Sequence, residues 1–546
     1  MSKSGRFRLD VWTLAVMAIA LGIAAPVLFI LSSIFTESGD VWSHLATTVL
    51  PGYLQNSLLL MVGVGIGVLI LGVGTAWLVT LCRFPGCRML EWALLLPLAA
   101  PAYLLAYVYT EWLEFYGPVQ TQLRTLFGWT SVNDYWFPNI RSVGGAMLLL
   151  ALTLYPYVYL LVRVSFLEQA TRTLEASRSL GCSAWGSFFK IALPLARPAI
   201  MAGLALALME TLNDFGTVQY FGVDTFTTGI YRTWFGLGER VVAAQLAAVL
   251  MLFILGLLLL ELWSRRQAKY YQSGTRFQPI NPFELNGIRA ILAFIGCLLP
   301  VTLGFLLPGF LLFQMTLENL NTLWDKRFLS FATHSLILAS ITGILAIAIA
   351  LILAYGVRLN GNLSMAISTR IAAMGYAIPG SVIAVGILIP VGRLDNAIDG
   401  FMRATFDIST GLIFSGTITA LIYAYLVRFL AVSYGAVESS LTKIKPNLDE
   451  AARSLGHQPM STLIQVHAPM MWGGLLTAGM LTFVDVMKEL PATLVIRPFN
   501  FDTLAIRVYN LAADERLAEA AGPALAIIVV GIIPVIFLSL KITQSR

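Results

Sequence analysis

Glu175-Ala176-Ser177-Arg178-Ser179-Leu180-Gly181 and Glu450-Ala451-Ala452-Arg453-Ser454-Leu455-Gly456 lie 275 positions apart and share one outline. Nine residues after each glycine the outline resumes, as Ile191-Ala192-Leu193-Pro194 and as Val466-His467-Ala468-Pro469. Both copies sit on a basic loop between long apolar runs. A match of this length in corresponding places marks an internal duplication, and it makes the chain two copies of one module.

The bulk composition says what kind of module. The chain has 546 residues, 58% hydrophobic and only 12% charged, too little charge to cover the surface of a soluble fold. A net charge of +6 without a basic, aromatic-interleaved stripe argues against nucleic acid as a partner. Cys82, Cys87, Cys182 and Cys297 show no pairing logic, and His44, His334, His457 and His467 are scattered, so no metal set is assigned. Lys3, Arg6 and Arg8 precede an apolar run from Val11 to Phe35. Despite a signal-like Ala24-Ala25, the run is too long for a signal core and reads as an uncleaved first membrane helix.

Runs of about twenty apolar residues fall near 11–35, 56–81, 90–113, 144–166, 198–221 and 241–263, then near 288–315, 333–357, 369–390, 408–433, 471–495 and 517–541. The expected fold is an all-α polytopic membrane protein of about 12 transmembrane helices. Six spans per half keep both halves in one orientation, so the repeats are parallel. The expected division is a first module over 1–264 with its loop at 175–194, a cytoplasmic linker over 265–287, and a second module over 288–546 with its loop at 450–469. With both termini in the cytoplasm, the loops of that side hold 23 Lys and Arg against 11 on the other. The bias predicts N-in and C-in, with both repeated loops cytoplasmic.

Glu175 and Glu450 suit the first turn of a surface helix, where the dipole favours an anion. Gly181 and Gly456 suit a left-handed exit from it, and Pro194 and Pro469 mark the next boundary. An ordinary interfacial helix shares these local features; it is the matched duplication that favours a function. The pattern E-A-A-x3-G-x9-I-x-L-P resembles the cytoplasmic coupling loop of ABC importer permeases, with departures at Ser177, Val466 and Ala468. The resemblance implies that Glu175, Ala176, Gly181, Pro194, Glu450, Ala451, Gly456 and Pro469 dock onto ATPase subunits. It implies two copies of a cytoplasmic ATPase, a periplasmic or extracellular solute-binding protein, and a bacterial inner (plasma) membrane location in contact with lipid. No Gly-Lys dipeptide occurs, so the chain has no phosphate loop of the Gly-Lys-Ser/Thr type. ATP is expected to be used by the partners, with no cofactor bound by this chain and no enzymatic activity of its own.

Fused permeases of this length resemble the ferric-iron branch, with thiamine or another small solute as the alternative substrate. Met209 to Val218 and Lys488 to Leu494 carry that likeness. Glu210 and Asp214 are four apart, on one helix face, and Asp485 and Glu489 repeat them 275 positions on. Counted from Pro198, Glu210 lies roughly 18 Å deep, where an acid normally faces a bundle interior or a water path. These four are the candidate translocation-path residues, and hard oxygen ligands suit a highly charged metal cation. They also suit structural pairing with Lys488 or capping of broken helices. Tyr103, Tyr107, Tyr109, Glu111, Glu114 and Tyr116 form an oxygen-rich cluster that reads first as an interface belt. Gly63, Gly65, Gly67, Gly72 and Gly74 suggest close helix packing. Pro97, Pro101 and Pro379 suggest kinks, with Pro101 and Pro379 equivalent. Arg124, Trp129, Asp134, Trp136 and Arg141, with Asp395 to Asp407, form the outer loops expected to receive the binding protein. A twelve-helix secondary transporter coupled to protons or sodium through Glu210 and Asp485 is the reading from another class; the paired loops argue against it.

Overall fold

A backbone inside a bilayer finds no water to bond, so long apolar runs satisfy their own amides as helices. The computed structural model describes residues 10–37, 39–168, 184–266, 282–320 and 326–544. In chain order the helices of the first half are α1 (Val11–Ser32), α2 (Gly39–Thr48), α3 (Leu50–Leu81), α4 (Cys87–Ala93), α5 (Ala102–Leu113), α6 (Pro118–Phe127), α7 (Val143–Glu168), α8 (Leu193–Asn213), α9 (Gly216–Tyr220), α10 (Phe226–Tyr231) and α11 (Arg240–Arg266). Those of the second are α12 (Ile288–Glu318), α13 (Lys326–Leu359), α14 (Leu363–Ala372), α15 (Gly380–Phe406), α16 (Ile418–Leu441), α17 (Asn447–Ser454), α18 (Pro459–Met470), α19 (Trp472–Met487), α20 (Pro491–Ile496), α21 (Leu504–Ala513) and α22 (Leu517–Gln544). The sheet content among the described residues is one short parallel pairing, β1 (Cys82–Arg83) with β2 (Phe283–Glu284).

Among the described residues ten helices are long and apolar enough to cross a membrane, or up to twelve if each of two bent pairs is counted as one span. The protein is an all-α polytopic membrane protein. Four of the expected spans are not continuous, however. The third is broken between Ala99 and Ala102, with a 90° bend between its arms. The ninth is divided into α14 and α15, the fifth ends at Asn213, and the eleventh ends at Met487 before the separate α20. Pro101 and Pro379 are therefore not interior kinks. Each has φ −58° and ψ 141° and immediately precedes a helix, α5 or α15. Proline lacks the N–H an interior position needs, whereas a helix start has no use for it.

The chain forms two compact units that do not coincide with its sequence halves. One comprises the described residues of 1–41, 230–251 and 324–507; the other comprises those of 42–229, 252–323 and 508–546. In the first unit α13, α16 and α19 pack together, and α1, from the other sequence half, lies against α13, α14 and α15. A side chain at Gly386 would meet the Pro26 carbonyl at 2.7 Å, so the glycine lets α15 approach α1. In the second unit α3, α7 and α8 form the core; α12, from the second half, packs on α3 and α7, and α22, also from the second half, packs on α12, on α5 and on residues 96–99. The glycines of α3 act here as expected, since a Cβ at Gly67 would meet Ala151 at 2.6 Å and one at Gly72 would meet Val158 at 2.7 Å. Gly74, in contrast, has open space around it.

Candidate functional site

The second repeated loop is described throughout. Asp449 and Glu450 occupy the first turn of α17, and Arg453 the last, as the helix dipole favours. The helix ends in two reverse bonds. His457 N–H donates to the Ala452 carbonyl at 3.0 Å, and Gly456 N–H donates to that of Arg453 at 3.0 Å. Gly456 has φ +85°, the left-handed conformation this ending needs. The chain turns into α18, which carries Pro469, and bends by 83° into α19. Glu450, Ala451, Arg453 and Leu455 are exposed, Leu455 by 79%. With Met460, Ile464 and Met470 also exposed, the segment presents apolar side chains beside charged ones.

An ionic cluster beneath the segment holds it to the unit. Arg358, at the end of α13, meets Asp449 at 2.6 and 2.8 Å, and donates to the carbonyls of Leu441 and Ile444 at 2.8 and 3.0 Å. His467, fully buried in α18, meets the other Asp449 oxygen at 2.6 Å. Burial disfavours the Asp449 anion, but the bonds from Arg358 and then His467 outweigh it and hold the carboxyl below its ordinary range. Three elements thus converge on one carboxylate. The reading of the sequence missed Arg358 and His467: the first passed as loop charge, the second as scatter. In the first copy, the positions 275 earlier than Asp449 and His467 are Leu174 and Ala192. Glu175, Ala176 and Gly181 lie outside the described residues. Pro194 is in the first turn of α8.

Each pair of candidate acids is placed within its own unit. Asp214 follows α8 and accepts from the Thr217 hydroxyl at 2.9 Å and the Val218 N–H at 3.0 Å. Glu489 follows α19 and does the same for α20, accepting from Ala492 N–H at 2.9 Å, Thr493 N–H at 3.0 Å and the Thr493 hydroxyl at 2.6 Å. Both carboxylates satisfy the free amides of the short helix after the break. Glu489 also meets Arg428 Nη1 at 3.0 Å, with almost no exposure on either side chain. Glu210 is half-buried on α8, within 3.4 Å of Asn213 Nδ2. Asp485 pairs with Lys488 at 2.9 Å. Arg428 lies in α16, and nothing in its local sequence marks it as the partner of Glu489.

The outer loop of the first half is ordered by its own aromatics. Trp129 stacks on Phe127 at 4.7 Å and on Tyr135 at 4.8 Å, while Arg124 lies over Phe115 at 3.9 Å. The backbone N–H groups of Ser131 and Thr130 hold the Asp134 carboxyl below its usual range, Arg141 pairs with Glu114, and Trp136 is exposed. Asp395, by contrast, is buried and accepts from the Phe414 and Ser415 N–H groups, so it ties down a loop. The segment from Asp395 to Phe406 continues α15 as helix.

Comparison with known proteins agrees with this architecture. Residues 4–269 match the family of binding-protein-dependent transport system inner membrane components. The chain is 27% identical to the Fe(3+)-transport system permease protein FbpB 2 of Haemophilus influenzae, over 96% of this chain and 97% of that one. It is 23% identical to the ferric transport system permease protein FbpB of Actinobacillus pleuropneumoniae, over 98% and 78%. The molybdenum transport system permease protein ModB of Escherichia coli is 31% identical over 28% of this chain and 62% of its own length.

Proposed function

We propose, for a chain that belongs to the family of binding-protein-dependent transport system inner membrane components, the role of fused permease subunit of an ATP-driven ferric-iron importer. Likeness along nearly the whole chain to a permease named for Fe(3+) transport is the observation that carries the substrate. The exposed, ionically anchored segment from α17 to α18 supports the coupling role, because it offers a rigid amphipathic surface to a cytoplasmic partner. On this reading each module, 1–264 and 288–546, presents one coupling loop, and one chain serves two ATPase copies. A solute-binding protein delivers iron at the outer face, with both termini and the linker over 265–287 in the cytoplasm. Closure of the ATPase pair moves the loops and opens the path. Within each half that path follows the local acids, Glu210 and Asp214 in one, Asp485 and Glu489 in the other.

The test is uptake of labelled ferric iron in cells lacking this chain and in cells with it restored, with thiamine and molybdate uptake measured alongside. Loss and rescue of iron alone is the expected result. Unchanged iron uptake with loss of another solute would overturn the substrate while leaving the permease.

A further inference from the structure

The two equivalent acids Asp214 and Glu489 share a backbone task but differ in what surrounds them. A carboxylate offers about four lone-pair sites. Those of Glu489 are occupied, by Arg428, two backbone N–H groups and a hydroxyl. Asp214 receives the Thr217 hydroxyl and the Val218 N–H, with the Thr217 N–H also directed at it, but no cation among the described residues. At the position matching Arg428, 275 residues earlier, stands Thr153, whose hydroxyl is turned onto the carbonyls of its own helix at 3.1 Å. The second half therefore neutralises its acid with a buried cation, and the first half does not.

What the first half gathers there is phenol oxygen. Tyr107, in α5, is 1% exposed, and its hydroxyl is buried without a hydrogen-bond partner among the described residues. A buried hydroxyl left unmatched costs free energy, so one held in the fold asks for a ligand. The Tyr107 ring meets Tyr220 edge-on at 4.5 Å and Tyr103 at 5.7 Å. Its electrostatic neighbours are Tyr103, Tyr509, Tyr220 and Asp214, all within one compact unit. Tyr509, in α21, comes from the other sequence half and also packs on Phe215, next to Asp214, at 5.9 Å. With α5 aligned on the equivalent prolines Pro101 and Pro379, Ser381 and Val385 stand in place of Tyr103 and Tyr107, and Val495, 275 residues on, stands in place of Tyr220. Among the described residues no group of three or more His, Cys, Asp or Glu is arranged to hold a metal, which leaves phenols as the further hard donors.

From this asymmetry we infer that, of the two acid-lined stretches of the path, only one holds the ion: Asp214, Tyr107 and Tyr220, with Tyr103 and Tyr509 beside them, form a transient oxygen-donor site for a trivalent cation in transit. Carboxylate and phenol oxygens are hard ligands matched to such an ion. A site that must also release its ion is best built from few donors on elements that part from one another, and α5, α9 and α21 are three separate short helices. Glu489, locked by Arg428, takes no part in holding the ion.

The inference rests on the ferric reading, and its test separates the two. The complete complex, with its ATPase and binding protein, is placed in lipid vesicles and supplied with ferric citrate. Ferric uptake and the visible charge-transfer absorption of an iron(III)–phenolate are both read. The wild type is expected to show both. Tyr107→Phe and Asp214→Asn are each expected to lose the absorption and to lower uptake roughly tenfold, the scale of removing one supporting group from a metal site. Tyr425→Phe, beside Glu489 in the other unit, is expected to leave the absorption unchanged. Tyr220→Phe is the second variant if Tyr107→Phe fails to assemble. Normal ferric uptake in Tyr107→Phe and Asp214→Asn, or uptake by the wild type without any absorption, would overturn the site and keep the ferric reading. No ferric uptake by the wild type would overturn the reading itself.

Discussion

Arg428 and Glu489 meet at 3.0 Å with almost no exposure on either side. Removing one member of a buried ion pair strands the other, at a cost of about 3–5 kcal/mol. Arg428→Ala should lower thermal stability by that order, and Glu489→Gln by less, since an amide still accepts from Thr493; thermal unfolding in detergent measures both. Asp449 behaves differently, because its carboxyl is held below the ordinary range by Arg358 and His467 against the opposing effect of burial. A depressed folded value means its contribution is complete above the unfolded value of about 3.9 and is lost as pH falls through the folded one. Hydrogen-exchange protection over α17, corrected for the pH dependence of the intrinsic rate, should therefore be flat from neutral pH down to that value, with corrected exchange accelerating only below it. Acceleration beginning near neutral pH would show that Asp449 is not the group that holds the helix.

At the scale of elements, the second repeated loop is a helix, a left-handed turn and a second helix, and Gly456 lies at the turn between them. Its φ of +85° costs an L-residue about 1–2 kcal/mol. Space is not the obstacle, since nothing stands within 4 Å of a Cβ there. Gly456→Ala should cost about that energy and keep transport measurable. Gly456→Asp together with Asp449→Asn should leave ATP hydrolysis running while uptake per ATP collapses. Intact coupling in that double variant would remove the docking role from this segment. The anchor on Asp449 has no counterpart at Leu174 and Ala192, so the equivalent substitution, Leu174→Asn, should change coupling much less than Asp449→Asn.

For the whole molecule, the informative fact is that neither compact unit is made from one half of the chain. Each takes its three-helix core from one half and apolar helices from the other. Those borrowed helices are apolar all round: Leu21 and Leu28 on α1, and Leu292 and Phe310 on α12, are exposed, a pattern that suits a lipid-facing position. A half expressed alone lacks part of the packing of its own core. Residues 1–275 or 276–546 produced singly should be degraded in the membrane, while co-expression of the two should restore protease resistance and uptake. A stable, folded single half would contradict the exchange of helices.

The duplication, the apolar spans, the glycines on α3 and the turn at Gly456 were legible in the residues because each is a local rule. A long apolar run demands a helix in lipid, and a left-handed helix end favours glycine. The breaks at Pro101 and Pro379 were half legible: proline marked the places, but only packing decided that they start helices. Arg358, His467 and Arg428 were not legible, because a charge in a sequence does not announce which distant group will neutralise it. The same holds for Tyr107, Tyr220 and Tyr509, which read as an interface belt or as nothing. A buried charge or hydroxyl acquires meaning from partners supplied by other helices, and those meet only when the chain folds. The sequence by itself determined that this is a duplicated membrane module with one loop pattern repeated in each half. Tertiary structure alone decided which carboxylate meets a buried cation and which meets only hydroxyl and N–H donors, because that depends on distance in space.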